Sequence, residues 1–261
     1  SSAASDVYKR QVLGSGKIGI SMEMAMGAAF LIIAVWWLVM SLPLMKQYRQ
    51  VHYVERKPHA MRESVGRIIE TLRSVRKQKK IFLFLIAFFF FIDGVYTIID
   101  MATAYGSALG LDSTGMMLAL LLVQILGLPF CLLYIKCSEK FGARTMVGFG
   151  ICVYMFICIF AFFMNSLWQF WVLAVIVGMF QGGVQALSRS HFAKIIPPEK
   201  SGEYFGLFDI CGKGASFLGT MIVSVGSQLT GSANVGVGSL IVLFVVGFVL
   251  FRVSCRQGET A

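Results

Sequence analysis

Long runs of apolar residues, separated by short polar segments, dominate the chain. Seven of these runs reach the roughly twenty residues that a helix needs to cross a bilayer. The pattern therefore predicts an all-α polytopic membrane protein. To within a few residues at each end, the predicted spans are 23–45, 81–105, 114–135, 145–164, 168–188, 204–228 and 236–253.

Composition agrees with this prediction. Of the 261 residues, 57% are hydrophobic and 14% are charged, whereas soluble domains carry about 25% charged residues. The formal net charge is +10. Because the positive charge lies between hydrophobic spans and not on a soluble face, nucleic-acid binding is not expected.

The segments outside the spans have distinct characters. Residues 1–22 start without Met and fit neither a signal peptide nor a span, so we expect a non-native-looking or external N-terminal segment. Residues 46–80 hold eleven Lys/Arg against three Glu and are interpreted as a basic cytoplasmic linker, solvated beside anionic lipid. Residues 81–253 are predicted to form a six-helix bundle, and 254–261 a cytoplasmic tail.

The distribution of Lys and Arg predicts the topology. If 46–80 is cytoplasmic, the cytoplasmic side also receives Lys136, Lys140, Arg144, Arg189, Lys194, Lys200, Arg252 and Arg256. The opposite connections, 106–113, 165–167 and 229–235, contain no Lys or Arg. The positive-inside rule then places the C-terminus in the cytoplasm.

Asp93 is the most unusual residue of the spans. It follows twelve apolar residues after the basic cluster 76–80, which is about 18 Å along a helix. A carboxylate at that depth costs on the order of 2.5–3.5 kcal/mol and is usually functional. Thr97 and Asp100 share its helix face. Since its own helix offers no nearby cation, a proton-carrying role is one interpretation and a structural hydrogen bond is the other.

Other spans also carry polar positions at helical spacing. Gln181 and Gln185 either join helices or line a cavity, and Gly178 and Gly182 predict a small-xxx-small helix contact. The complete set of predicted cavity residues is Asp93, Tyr96, Thr97, Asp100, Gln124, Gln181, Gln185, Asp209 and Lys213.

Three charged residues leave alternatives open. Asp209 and Lys213 are four residues apart on one predicted helix, which favours a coupled pair that is either structural or in contact with substrate or ion. Arg189 ends a span and is expected to be an interfacial anchor, the alternative being a ligand-binding residue.

No metal or cofactor site is expected. The six cysteines form no Cys-x-x-Cys pair, and the three histidines have no metal-ligand spacing with them. They are interpreted as free thiols. A His/Glu metal pair or a Ser–His dyad at lipid depth is also missing from the pattern, so an enzyme is not predicted.

Three stretches resemble a known family: Phe-Ile-Asp-Gly-Val-Tyr-Thr-Ile-Ile at 91–99, Gln-Gly-Gly-Val-Gln-Ala-Leu-Ser-Arg-Ser at 181–190, and Tyr-Phe-Gly-Leu-Phe-Asp-Ile-Cys-Gly-Lys at 204–213. They are similar to helices seven, ten and eleven of the vacuole-effluxer-like branch of the major facilitator superfamily. That branch is known for amino-acid export from fungal vacuoles.

The resemblance implies the C-terminal six-helix half of a major facilitator fold, preceded by its sixth helix at 23–45. In that fold helices seven and ten line the central cavity. It also implies a gating loop between helices eight and nine, although this loop departs from the family pattern. The corresponding residues are Glu139, Lys140, Gly142 and Arg144. Helices one to five have no counterpart, so we expect a fragment that lacks the N-terminal bundle.

Together these features predict a secondary active transporter that moves small polar solutes, amino acids by resemblance, through alternating access. The alternative is a non-transporting membrane receptor or scaffold. Expected partners are the lipid bilayer, a small-molecule substrate, protons and the missing N-terminal bundle. The expected location is a bacterial cell membrane.

Overall fold

The computed structural model describes residues 22–47 and 60–257 of the chain. Within these residues the chain forms α-helices, one short 3₁₀-helix at Pro198–Lys200 and no strand. The α-helices are α1 (Met22–Gln47), α2 (Ala60–Lys77), α3 (Lys79–Ala108), α4 (Ser113–Phe141), α5 (Ala143–Phe162), α6 (Leu167–Ile195), α7 (Ser201–Lys213), α8 (Phe217–Thr230), α9 (Ala233–Gly238) and α10 (Ile241–Arg256).

The predicted spans coincide with helical segments, although the last two, 204–228 and 236–253, are each interrupted, at 214–216 and at 239–240. Each of the seven predicted spans overlaps a helical segment of the described chain that is long and apolar enough to cross a membrane, from Phe30–Gln47 to Ala233–Arg256. The all-α polytopic class is thereby confirmed. Of the predicted terminal segments, residues 1–21 and 258–261 lie outside the described residues, as do residues 48–59 of the linker.

The chain divides into two units at Ala60. The first unit contains α1. In the second, α3 contacts α6, α7, α8 and α10, while α4 packs along α6 and α5 packs on both α6 and α10. Helix α3, which carries Asp93, is therefore enclosed by the other helices, and half or more of its apolar stretch is buried.

The sixth predicted span, 204–228, is not one continuous helix. Helix α7 ends at Lys213 and α8 begins at Phe217. Between them Ser216 has a φ of +78°, and in the described chain it is the one non-glycine residue with positive φ. Side chains with a Cβ rarely adopt this conformation, so other contacts must stabilise the break.

Aromatic side chains tie α3 to α6 and α7. Phe88 stacks on Phe208 with ring centroids 3.9 Å apart, and Phe208 stacks on Phe192 at 4.9 Å. Phe84 and His191 extend this buried cluster. Aromatic pairs of this kind add about 0.5–1.5 kcal/mol each beyond their burial, so the first half of the broken span is held firmly to its neighbours.

Small residues bring α6 against α4, as predicted. A Cβ on Gly178 would lie 3.1 Å from the Val123 backbone, and one on Gly182 would lie 3.2 Å from Cys131. Contacts this close need glycine, which lets the helix backbones approach. The small-xxx-small prediction is confirmed.

Part of the basic linker is a helix packed on α7. In α2, Thr71 donates a hydrogen bond to Glu203 at 2.7 Å, and Val75 is fully buried. At the junction with α3, Gln78 donates to the Tyr204 hydroxyl at 3.1 Å. The expectation of a solvated linker is therefore wrong for this part, because one face of α2 is apolar enough to pack while Arg73, Arg76 and Lys77 stay exposed.

The predicted gating loop is reduced to a single residue. Helix α4 runs to Phe141 and α5 starts at Ala143, with only Gly142 between them at a φ of +83°. Glu139 and Lys140 belong to the last turn of α4 and are exposed. A separate loop is not needed because glycine adopts the left-handed conformation without a steric cost.

Candidate functional site

The carboxylate of Asp93 lies at the amino terminus of α8. Its Oδ1 atom accepts hydrogen bonds from the backbone N–H groups of Ser216 and Gly219, both at 2.9 Å. The Thr97 hydroxyl donates to the same oxygen at 3.3 Å. Asp93 and Thr97 are both fully buried, so the site is closed within the helix bundle.

This arrangement follows from the break in the span. The first N–H groups of a helix have no partner inside the helix, and water is missing at membrane depth to satisfy them. Asp93 supplies the acceptor from another helix, and the partial positive charge of the helix terminus favours a carboxylate there. Gly219 permits the approach, since a Cβ at this position would meet Thr97 Oγ1 and lie 2.8 Å from Asp93 Oδ1.

The second oxygen of Asp93 has a different environment. Oδ2 is buried and has no hydrogen-bond partner among the described residues. Burying an acceptor without a partner costs about 1–3 kcal/mol, more when the group is charged. The site therefore satisfies one oxygen of the carboxyl group through three hydrogen bonds and leaves the other without a partner among the described residues.

Two other predicted residues lie in an open pocket between α3, α6 and α7. Tyr96 comes from α3 and Gln185 from α6. Arg189, one turn beyond Gln185, also lines the pocket. Apolar and small side chains complete its wall: Phe88, Ile92, Gly182, Ala186 and Phe208. Since α3 turns Asp93 to the break and Tyr96 to this pocket, the two sites lie on neighbouring faces of one helix.

Asp209 pairs with a residue other than the predicted one. Its carboxylate accepts a hydrogen bond from Nη2 of Arg189 at 2.5 Å, and the predicted pair with Lys213 is wrong. Lys213 is exposed in the last turn of α7. Asp209 pairs with Arg189 rather than Lys213 because the guanidinium of Arg189 also lies over the rings of Phe205 and Phe208, at 5.8 and 5.5 Å from their centroids.

The remaining predicted residues are dispersed. Gln181 and Thr97 border an apolar cavity of about 80 Å³ that is lined by α3, α4, α5, α6, α8 and α9. Asp100 and Gln124 are exposed, on α3 and α4. Arg144 lies in the first turn of α5 and also borders an open groove toward α10. The structure thus does not bring all predicted cavity residues into one site.

Sequence analysis missed two features of the site. It treated 204–228 as one helix, although glycines at 212, 214 and 219 around Ser216 were a visible signal of a break. It also preferred an interfacial role for Arg189. The described chain contains no cluster of three or more His, Cys, Asp or Glu side chains that could hold a metal ion.

Comparison with known proteins identifies the family. The family model described as "Vacuole effluxer Atg22 like" matches residues 10–260. This match includes 10–22, part of the N-terminal segment that sequence analysis set apart.

Individual relatives agree with the family model. A relative in Bacillus subtilis (strain 168), named "Uncharacterized MFS-type transporter YxiO", is 42% identical over 243 residues, which cover 93% of this chain and 57% of the relative. Autophagy-related protein 22 of Saccharomyces cerevisiae (strain ATCC 204508 / S288c) is 26% identical over 236 residues, which cover 76% of this chain and 44% of the relative. The chain spans about half the length of these relatives. The resemblance seen in the sequence is confirmed: the chain belongs to the vacuole effluxer Atg22-like family.

Proposed function

We propose that this chain is part of a secondary active transporter that carries small polar solutes, amino acids above all, across a bacterial cell membrane by alternating access. Family membership and the names of the relatives support a transporter. An amino-acid substrate is what the resemblance of residues 91–99, 181–190 and 204–213 to the vacuole-effluxer-like branch implies.

One observation carries the proposal: a membrane-spanning segment is interrupted, and a buried carboxylate from another span lies at the interruption. Backbone outside a regular helix is tolerated at membrane depth only where protein or a cavity covers it. In secondary transporters, such broken helices lie near the substrate and coupling-ion sites. Asp93 and the α7–α8 break have this arrangement.

Protons are the proposed coupling ion. When Asp93 is ionised, its charge interacts favourably with the amino terminus of α8, an effect of about 0.3–1 kcal/mol or more at a partly buried site. Protonation on Oδ2 removes this attraction between the charge and the helix dipole. It also removes the cost of burying a charged group at membrane depth. The position of α8 is thereby linked to the protonation state of Asp93.

The second wall of the transport path would come from the N-terminal bundle, which has no counterpart among the predicted spans. Alternating access requires two bundles that move about one site. In this proposal, the C-terminus and the basic linker 46–80 face the cytoplasm, where their Lys and Arg lie beside anionic lipid.

The test is transport by the full-length gene product in proteoliposomes, with a panel of radiolabelled L-amino acids and an imposed pH gradient. We expect gradient-driven accumulation of at least one amino acid. Asp93→Asn should abolish this accumulation yet retain exchange of substrate at equal concentrations on both sides. Asp93→Glu should retain part of the driven accumulation with a shifted pH optimum.

Glu199→Gln is the matched control, because it removes an exposed carboxylate far from the break. This variant should accumulate substrate like the wild type. Normal gradient-driven transport by Asp93→Asn would show that the carboxylate is structural. Saturable binding without any flux would contradict transport and favour a receptor of the same fold.

A further inference from the structure

We propose that Arg189 is the binding residue for a carboxylate group of the solute, and that Asp209 occupies Arg189 when solute is absent. The inference rests on the proposed transport function and assigns the pocket between α3, α6 and α7 as the solute site. Sequence analysis preferred an interfacial anchor for Arg189 and kept a ligand-binding role as the alternative; the inference takes up that alternative and names the group that binds.

The pocket has the groups that such a solute needs. Arg189 supplies a cation at one side, while Gln185 and Tyr96 supply an amide and a hydroxyl from two different helices. Phe88 and Phe208 form an apolar surface beside them. A small number of convergent polar groups in an otherwise apolar pocket is the usual composition of a small-molecule site.

The contact between Arg189 and Asp209 leaves most of the guanidinium unused. Arginine has five N–H donors in a planar fork, and Asp209 accepts a hydrogen bond from only one of its nitrogens, Nη2. Both side chains are about half exposed, at 57% and 46%. An ion pair this exposed is weak because water screens it, whereas a solute carboxylate could bind the fork through two parallel hydrogen bonds.

Arg189 stays oriented when Asp209 leaves. The guanidinium lies over the rings of Phe205 and Phe208, and stacking on aromatic rings is a second interaction that arginine makes independently of its ion pairs. Because the guanidinium is already held in place, it loses less conformational entropy when the solute carboxylate binds. The solute carboxylate can therefore replace that of Asp209 at a site that is already formed.

The exchange has a mechanical consequence for the broken span. Asp209 belongs to α7, the half-helix before the break, and Arg189 belongs to α6. A solute carboxylate on Arg189 would remove one of the links between these helices. Solute binding would therefore loosen α7 from α6 on the cytoplasmic side of the Asp93 site.

The test measures binding and not flux. Purified full-length protein is assayed by scintillation proximity with a ¹⁴C-labelled mixture of L-amino acids. Two unlabelled competitors are compared: the N-acetyl derivatives, which keep the carboxylate, and the amino-acid amides, which lack it. Wild-type binding should be displaced by the N-acetyl derivatives and little affected by the amides.

Two variants probe the ion pair. Arg189→Gln should weaken binding roughly tenfold or more, as expected for loss of a hydrogen-bonded charge, and should lose the preference for carboxylate competitors. Asp209→Asn removes the internal competitor, so the N-acetyl derivatives should bind about two- to fivefold more tightly. Arg252→Gln is the matched control, since Arg252 also stacks on a ring, Phe248, but lies outside the pocket. It should bind like the wild type.

The outcomes separate this inference from transport itself. Carboxylate-selective binding that depends on Arg189 but gives no flux would support the site and contradict the transporter. Equal displacement by amides and N-acetyl derivatives would overturn the proposed carboxylate site even if transport is robust. Absence of binding would overturn it as well. If Arg189→Gln does not purify as a monodisperse protein, unchanged affinity in Asp209→Asn still overturns the inference.

Discussion

The carboxylate of Asp93 accepts the backbone N–H of Ser216 at 2.9 Å, across two separate membrane-spanning segments. Ser216 is also the residue with a φ of +78°. The residue whose conformation breaks the span thus donates a hydrogen bond directly to the carboxylate that stabilises the break. Removing this carboxylate should therefore destabilise the backbone at the break.

We expect Asp93→Ala to destabilise the protein by about 1–3 kcal/mol, because it leaves the buried N–H of Gly219 and the partly buried N–H of Ser216 without this acceptor. Asp93→Asn should cost less than about 1 kcal/mol, since its Oδ1 can accept the same bonds. Thermal unfolding of the purified variants in detergent measures the difference. Equal losses for both variants would contradict a capping role.

Gly219→Ala should destabilise the break by about 1–3 kcal/mol, the usual cost of overpacking. Its new Cβ would collide with Thr97 and approach Asp93 Oδ1. Gly206→Ala is the control, because nothing lies within 4 Å of a Cβ there and alanine favours a helix over glycine by about 1 kcal/mol. Its unfolding temperature should not fall. A similar loss in both variants would argue against the close approach.

Thr71→Val should release α2 from α7. The substitution keeps the shape of a buried side chain but removes its hydrogen bond to Glu203, a bond to a charged group worth about 1.5–3 kcal/mol. Hydrogen exchange followed by mass spectrometry should show faster exchange over residues 66–77. Ser74→Ala, in the same helix, should leave the exchange rates unchanged. Unaltered exchange in Thr71→Val would show that the apolar contacts of Val75 suffice.

Single cysteines at Glu70 and Ser107 should react from opposite faces of the membrane. Both positions are exposed, and the positive-inside rule places the first in the cytoplasm and the second outside. In a variant that lacks the six native cysteines, a membrane-impermeant maleimide applied to intact cells should label position 107 alone. Labelling of both positions would contradict the predicted topology.

Apolar run length was sufficient to predict the spans, because the cost of exposing polar backbone to lipid leaves few alternatives to helices. Glycine spacing was sufficient for the α4–α6 contact at Gly178 and Gly182. Both properties are local, so one segment of sequence contains the whole signal.

The break and the ion pair depend on contacts between segments. Asp209 and Lys213 fit the local i, i+4 rule, yet Arg189, twenty residues earlier in the chain, binds Asp209 because Phe205 and Phe208 hold its guanidinium. Likewise, Ser216 can adopt its conformation because Asp93 from α3 satisfies the freed N–H groups. Neither partner is visible until the helices are packed.

Gly142 is the only residue between α4 and α5. The angle between these two helices can therefore change, but their adjoining ends must stay together. Any tilt of α4 would therefore also move α5. Through α5, which packs on α6 and α10, that displacement would reach the opposite side of the bundle.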